Sequence, residues 1–453
     1  MLRRVVRYAT AALVVTTAIG CRQQAGYAQQ YQQPQDLARE IRELKATLAQ
    51  QAEKIRELEG RLKAQESKSQ PVSGQLPPDL SEKIDRHLES KIPAYPFMEG
   101  LDISGWVTTV VQGARNANGE DRLSSREDAT DATYSADILL EKKLNEDGWG
   151  LLHFRAGNGA GLTDDLQLYS NVNYNVFDAD NNVSIIEAWY EHYFKTVPFT
   201  ATFGKLDAIS YIDGNEYAND DTSQFLGDMF NNSPVIEWPS DNGAGGLRLA
   251  WEHAEFWTID FLAMDSDGDD EDAYDAPFLA AQINVKPKLS GRNGNYRFIL
   301  WQNRAPHTRW NDATRDKENG YGFGISFDQG LTDNLGMFLR YGWQDPDVYL
   351  NSEVFSLEQA YSFGPQVKGC AWGRPDDTVG LGFGQVFASK KYKQANNLIA
   401  KPETHLEWYY NFRANKHFTV SPDLQVIWRP YGQDAANGDG TIVVAGGRAE
   451  LDF

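Results

Sequence analysis

Side chains able to hydrogen-bond a small solute recur at alternate positions in several stretches of this chain. His153 and Arg155 form one pair, and Glu187, Trp189 and Glu191 form a triplet. Arg248, Arg340, Glu407 with Tyr409, and Arg448 continue the series. Arg offers a fork of donors, Glu accepts, and an aromatic ring can cover the weakly apolar face of a hydroxylated molecule. Opposed rows of Arg and Glu would set up a transverse field that orients polar solutes without demanding net charge on them. For any single charge, pairing with a neighbour across the wall is the commoner role. Covalent chemistry has no comparable footing. There is no phosphate-binding Gly-x-x-x-x-Gly-Lys-Ser/Thr, no His-Glu-x-x-His and no Gly-x-Ser-x-Gly, and the seven His are scattered. No enzyme, metal centre or cofactor is expected.

One acidic run is a separate case. Asp265, Asp267, Asp269, Asp270, Glu271, Asp272 and Asp275 begin like a calcium loop. The glycine such a loop needs at its sixth position is Asp270, and its twelfth position is Ala276. The run therefore reads as a solvated acidic surface loop.

The elements that would position the alternating residues are strands. From Thr404 to Arg413, Thr404, Leu406, Trp408, Tyr410 and Phe412 face one way, and His405, Glu407, Tyr409, Asn411 and Arg413 the other. The same period of two runs through 247–252, 257–261, 279–286, 378–383 and 442–453. About sixteen such segments start near 101, 133, 149, 184, 199, 246, 256, 278, 295, 321, 335, 354, 378, 404, 417 and 441. That spacing of roughly 22 residues suits a tilted strand with alternating short and long connections.

A strand with one apolar and one charged face fits half a sandwich or part of a closed barrel. Three features favour a barrel in a membrane. The charged face is too charged for a sealed core. Aromatics including Trp149, Trp189, Tyr190, Trp257, Trp301, Tyr341, Trp343, Tyr409, Tyr410 and Trp428 cluster near strand ends, as interfacial girdles do. The last alternating strand ends in Phe453 on its apolar face, the terminal signal read by the outer-membrane barrel assembly machinery. Apart from the extreme N-terminus, no stretch approaches the ~20 apolar residues of a spanning helix.

The first hundred residues differ in kind. Arg3, Arg4 and Arg7 precede a short apolar stretch, which reads as a signal peptide over 1–28. Two processing sites compete: Gly26-Tyr27-Ala28 suits ordinary cleavage, and Ala18-Ile19-Gly20-Cys21 suits lipidation of Cys21. Over 29–66, Ile41, Leu48, Ile55 and Leu62 alternate with Leu37, Leu44, Gln51 and Leu58 in a heptad seam, predicting a periplasmic coiled coil. Residues 67–99 read as a linker and a short amphipathic helix ending at Pro93 and Pro96.

Composition draws the same boundary. The 453 residues hold 43 Lys and Arg against 64 Asp and Glu, a net charge of −21. Residues 1–99 carry fifteen basic and twelve acidic residues, which leaves 28 against 52, or −24, for residues 100–453. A chain this acidic does not grip a polyanion, so nucleic-acid binding is excluded. Only Cys21 and Cys370 exist, too few for a disulfide in the mature chain or a Cys-based zinc site.

Several ordered motifs in 100–453 resemble the carbohydrate-selective porins of Gram-negative outer membranes. They are Gly204-Lys205-Leu206-Asp207, Asn215 to Asp220 with Gln224-Phe225-Leu226, and Gly373-Arg374-Pro375-Asp376-Asp377-Thr378 before a glycine-alternating strand. The last are Leu406 to Tyr410, Ser421-Pro422-Asp423-Leu424-Gln425, and Gly447 to Phe453. The resemblance implies an all-β transmembrane barrel of about sixteen antiparallel strands that passes sugars by diffusion, often as a homotrimer. Gly204 and Asp376 are expected at turns or strand ends. Opposed to a channel stands a structural anchor, whose coiled coil ties the outer membrane to the cell wall.

Overall fold

The computed structural model describes residues 100–119, 127–177, 181–239, 243–253, 255–266, 275–315 and 317–453. The signal peptide, Cys21, the coiled coil and the linker fall outside the described residues, as does most of the acidic run.

Sixteen long strands follow one another in chain order. They are β1 (Leu101–Ala117), β2 (Glu127–Asn145), β3 (Gly148–Asn158), β4 (Val183–Phe194), β5 (Phe199–Leu206), β6 (Ala244–His253), β7 (Trp257–Met264) and β8 (Phe278–Val285). Then come β9 (Arg292–Arg309), β10 (Glu318–Gly330), β11 (Leu335–Gln344), β12 (Leu357–Gly369), β13 (Arg374–Ala388), β14 (Glu403–Asn415), β15 (Phe418–Trp428) and β16 (Ile442–Asp452). Each pairs antiparallel with its chain neighbours, and β1 pairs with β16 from Trp106↔Asp452 to Arg115↔Val443, so the sheet closes on itself. Closure leaves no unpaired edge. Two short pieces add rungs: Lys288–Leu289 at the foot of β9, and Val348–Leu350 against His307–Arg309.

The connections alternate in length. Asn145 to Gly148, Phe194 to Phe199 and Asn415 to Phe418 are tight turns at one end, which is also where the barrel strands begin and finish. The other end carries long loops, including 159–182, 207–243 and 429–441.

Residue chemistry sorts by face. Phe203, Trp251, Phe261 and Leu300 are more than half exposed on the outer side. Their inward neighbours include Thr202, Asp260 and Ile299, all buried. The seam is held at the C-terminus: Phe453 N–H donates to Gly105 O at 3.0 Å, and a Cβ on Gly105 would stand 2.8 Å from the Phe453 ring.

Several strands begin away from the expected positions. β2 starts at Glu127 rather than near 133, β10 at Glu318 rather than 321, and β13 at Arg374 rather than 378. The added residues are mostly polar, because beyond the acyl layer both faces meet water and the alternation that marks a strand fades. Three expected girdle aromatics point inward instead. Trp189, Trp301 and Tyr409 share the parity of Glu187, Ile299 and Glu407, and Trp301 and Tyr409 are fully buried there.

Candidate functional site

The interior is occupied by two of the long loops. Loop 207–243 leaves β5 at Asp207, whose side chain accepts Ile209 N–H at 3.3 Å and caps a short turn. Just before it, Gly204 lies inside β5 at φ +137°, where a Cβ would meet Ala188 O at 2.3 Å, so this position admits only glycine. From there the loop crosses to the far wall, where β11, β14 and β16 hold it.

Each grip is a charged wall residue spent on loop backbone. Arg340 of β11 donates to Asp213 Oδ1 at 3.2 Å, to Asp213 O at 2.9 Å, to Ala218 O at 2.6 Å and to Phe230 O at 2.7 Å. Glu407 of β14 accepts Leu226 N–H at 2.5 Å and Gly227 N–H at 3.0 Å. Arg448 of β16 donates to Gln224 O at 2.9 Å and to Asp221 O. Near the descending limb, His307 Nε2 lies 2.7 Å from Glu237 Oε2. These groups leave few backbone carbonyls and amides of the loop unmatched.

Apolar side chains of the loop drop onto glycines of the wall. On β13, Gly380, Gly382 and Gly384 face inward, and a Cβ at Gly382 would stand 2.7 Å from Phe230 and 3.0 Å from Phe225. Phe225 also meets Tyr409 edge-on at 4.8 Å and Phe338 at 5.5 Å. The buried apolar clusters of this protein therefore lie inside the barrel, between loop and wall.

The second loop, 159–182, is joined to the first. Tyr174 N–H donates to Leu226 O at 2.6 Å, and Asp228 N–H to Asn171 O at 3.1 Å. Gln112 and Gln425 both donate to Val172 O, at 3.0 and 2.8 Å. Glu403 accepts Tyr169 and Ser170 N–H groups at 3.0 and 3.1 Å.

Ten residues were expected to line a lumen, and the structure divides them. His153, Arg155, Glu187, Trp189, Glu191 and Arg248 lie on the inner face of β3, β4 and β6, joined in one polar patch. His153 Nε2 sits 2.7 Å from Asp137 Oδ1, and Arg155 Nε 3.2 Å from the same oxygen. Trp189 Nε1 donates to Glu187 Oε1 at 3.1 Å. Arg248 pairs with Asp260 at 2.6 Å and with Glu191 at 3.5 Å, its guanidinium lying 4.8 Å from the centre of the Tyr211 ring. The Arg155 and Glu191 side chains keep 25% and 28% of their surface open. Arg340, Glu407, Tyr409 and Arg448 are at most 2% exposed, so these four grip protein rather than open water. Alternation gave their side of the wall correctly; it carries no information about what fills the space beside them.

Charges from the loop complete the patch. Burial, reinforced by the negative charge of Glu187, pushes the Asp207 carboxyl up to about 7. Burial likewise raises the Asp221 carboxyl, against the pull of Arg155. Sequence reasoning did not single out Asp137, Asp213, Asp221 or the Arg297–Asp328 pair, 2.6 Å apart. Asp213 and Asp221 sit in irregular backbone, where no period marks them.

The motif residues map largely onto the loop and its sockets. Lys205 lies on β5 just ahead of Asp207, and Asn215 donates to Ser326 Oγ at 3.2 Å. Asp423, buried on β15 beside Glu407, accepts from Gln425 at 2.9 Å, while Pro422 faces outward and exposed. Arg374 pairs with the buried Asp377, and Pro375 and Asp376 stand exposed next to the 369–374 turn.

A closed sixteen-strand barrel, polar within, apolar without and narrowed by loops folded into it, defines the porin class of architecture. The family model for the carbohydrate-selective porin, OprB family, matches residues 127–453, and the chain belongs to that family. The high-pH structure of Pseudomonas putida OprB superposes with a TM-score of 0.68 at 16% identity, covering 81% of this chain and 97% of that one. The outer membrane channel DcaP of Acinetobacter baumannii gives 0.51 at 14% identity, over 78% and 97%. An uncharacterised protein of Aquifex aeolicus (strain VF5) is 29% identical over 146 residues, 32% of this chain and 40% of that protein.

Proposed function

We propose that this protein is an outer-membrane porin through which carbohydrates and other small solutes diffuse passively. The observation that carries the reading is the inward loop 207–243, stapled by Arg340, Glu407 and Arg448, facing a polar patch in which Arg155, Glu191 and Arg248 stay partly open. A wide barrel would pass solutes by size alone. A barrel narrowed by a fixed loop brings each solute within reach of Arg donors, carboxylate acceptors and the Tyr211 and Trp189 rings. Such contacts are weak enough for a solute to leave as readily as it enters.

The tight-turn end faces the periplasm and the long loops face outward, so residues before Leu101 lie on the periplasmic side. A coiled coil there would join barrels into a homo-oligomer, a trimer being favoured by the family. Phe453 would be read by the barrel assembly machinery. The test is swelling of liposomes holding the purified protein, in glucose, in larger sugars and in amino acids. Swelling that falls off with size and favours sugars is the expected outcome, and swelling at the rate of empty vesicles overturns the channel reading. A structural anchor would give that second result and would detach the envelope when residues 29–66 are deleted.

A further inference from the structure

At the long-loop end, a cleft of about 400 Å³ opens between loop 159–182 and loops 351–356 and 429–441, apart from the polar patch on β3, β4 and β6. Its lining is mixed. Phe355 and Tyr431 bring ring surface, Thr163 and Asp164 bring exposed polar groups, and Gln167 and Asn171 bring side-chain amides.

The aromatic side is built rather than incidental. Tyr431 and Phe355 meet at right angles with centroids 5.9 Å apart, and Tyr169 packs behind both at 4.6 and 5.2 Å. Tyr431 is held in the left-handed region at φ +49°, and Arg429 and Gln433 flank it at +58° and +69°. Non-glycine residues adopt this conformation at a cost, and a run of them persists only where the surroundings fix it. The fixing group is Glu403, at 0% exposure. Its carboxylate accepts Tyr431 N–H at 2.6 Å together with the Tyr169 and Ser170 N–H groups, and His405 Nε2 lies 2.9 Å away. The Tyr431 hydroxyl is bonded to that of Tyr392 at 2.9 Å. One buried carboxylate thus sets both walls of the cleft.

We propose that this cleft is an outer sugar-binding subsite, which receives a neutral mono- or disaccharide before it reaches the narrowed part of the barrel. The inference rests on the carbohydrate-channel reading. A sugar ring presents an apolar face edged by hydroxyls that both donate and accept. Rings on one side of a cleft, with a carboxylate and amides on the other, match that surface, and the volume holds one or two sugar rings. A neutral ligand suits the site because Asp164 supplies acceptors without a cation beside it in the lining. Glu403 is a positioning residue here and touches no solute.

Calorimetric titration of the detergent-solubilised full chain with glucose and with maltose tests the subsite without reference to transport. Saturable binding is expected, weakened about fivefold or more in Phe355→Ala and in Asp164→Ala, on the scale of one lost stacking or hydrogen-bonding partner. Asp164 is exposed, so Asp164→Ala reports on binding where Phe355→Ala disturbs packing. Absence of saturable heat for the wild type, or equal affinity in wild type and both variants, overturns the subsite. Liposome swelling on the same samples keeps the two readings apart. Swelling without saturable binding sinks only the subsite, and binding lost in the variants without any swelling upholds the subsite while sinking the channel.

Discussion

The carboxylate of Glu407 accepts the backbone N–H groups of both Leu226 and Gly227, residues about 180 positions earlier in the chain. Wall and loop are joined at the point where the loop reaches furthest from β5. Replacing Glu407 with Ala strands two buried amides, at about 1–3 kcal/mol each. Larger and noisier single-channel currents, with a lower melting temperature, are expected for Glu407→Ala. Wild-type conductance with a lowered melting temperature would show that the loop keeps its place without this grip.

Gly382 offers a steric route to the same end. A leucine there would drive into Phe225 and Phe230, already 2.7–3.0 Å from where its Cβ would stand. Overpacking of this kind costs roughly 1–3 kcal/mol. Gly382→Leu should therefore raise conductance and speed passage of larger sugars in swelling assays. Unchanged size discrimination would mean that the loop repacks without moving.

Arg155 is the open cation of the polar patch, with Asp137 beside it and Asp221 within electrostatic reach. Removing it uncovers negative charge. Arg155→Ala is expected to shift the reversal potential in a salt gradient towards cation selectivity while leaving the melting temperature within a degree or two of wild type, since a partly open pair contributes about 0–1 kcal/mol. An unmoved reversal potential would remove Arg155 from the path of ions.

Asp207, with its carboxyl raised to about 7, makes selectivity pH-dependent. Below that value it is protonated and neutral, and above it a negative charge appears beside Glu187. The cation-to-anion permeability ratio should rise between pH 6 and pH 8, and this rise should flatten in Asp207→Asn. Stability runs the other way. The folded state holds this proton more tightly than the unfolded chain, so the contribution is present at low pH and fades as pH rises through 7. A pH profile identical in Asp207→Asn would assign the titration to another group.

The barrel was legible from the sequence because lipid and water impose opposite demands on successive residues. Leu247, Leu249 and Trp251 against Arg248 and Glu252 is that demand written out, and β6 (Ala244–His253) lies where it predicts. The parity of every lumen candidate could be read in the same way. What could not be read is occupancy. Arg340 and Arg155 look alike in a period-two pattern, yet one is buried under Ala218 and Phe230 and the other stays partly open. The difference lies in loop 207–243, whose backbone follows no period. One trace was present, in the alternate glycines of 380–384. A wall facing only water has no need to lose its side chains, whereas a wall receiving Phe225 and Phe230 does.

The residues that clasp loop 207–243 arrive late in the polypeptide: Arg340 on β11, Glu407 on β14 and Arg448 on β16. A nascent wall lacking its final third would hold this segment by few of its eventual fastenings. Narrowing is thus a late event of biogenesis, finished only when Phe453 meets Gly105, and a stalled intermediate would be a breach in the envelope wider than the finished pore.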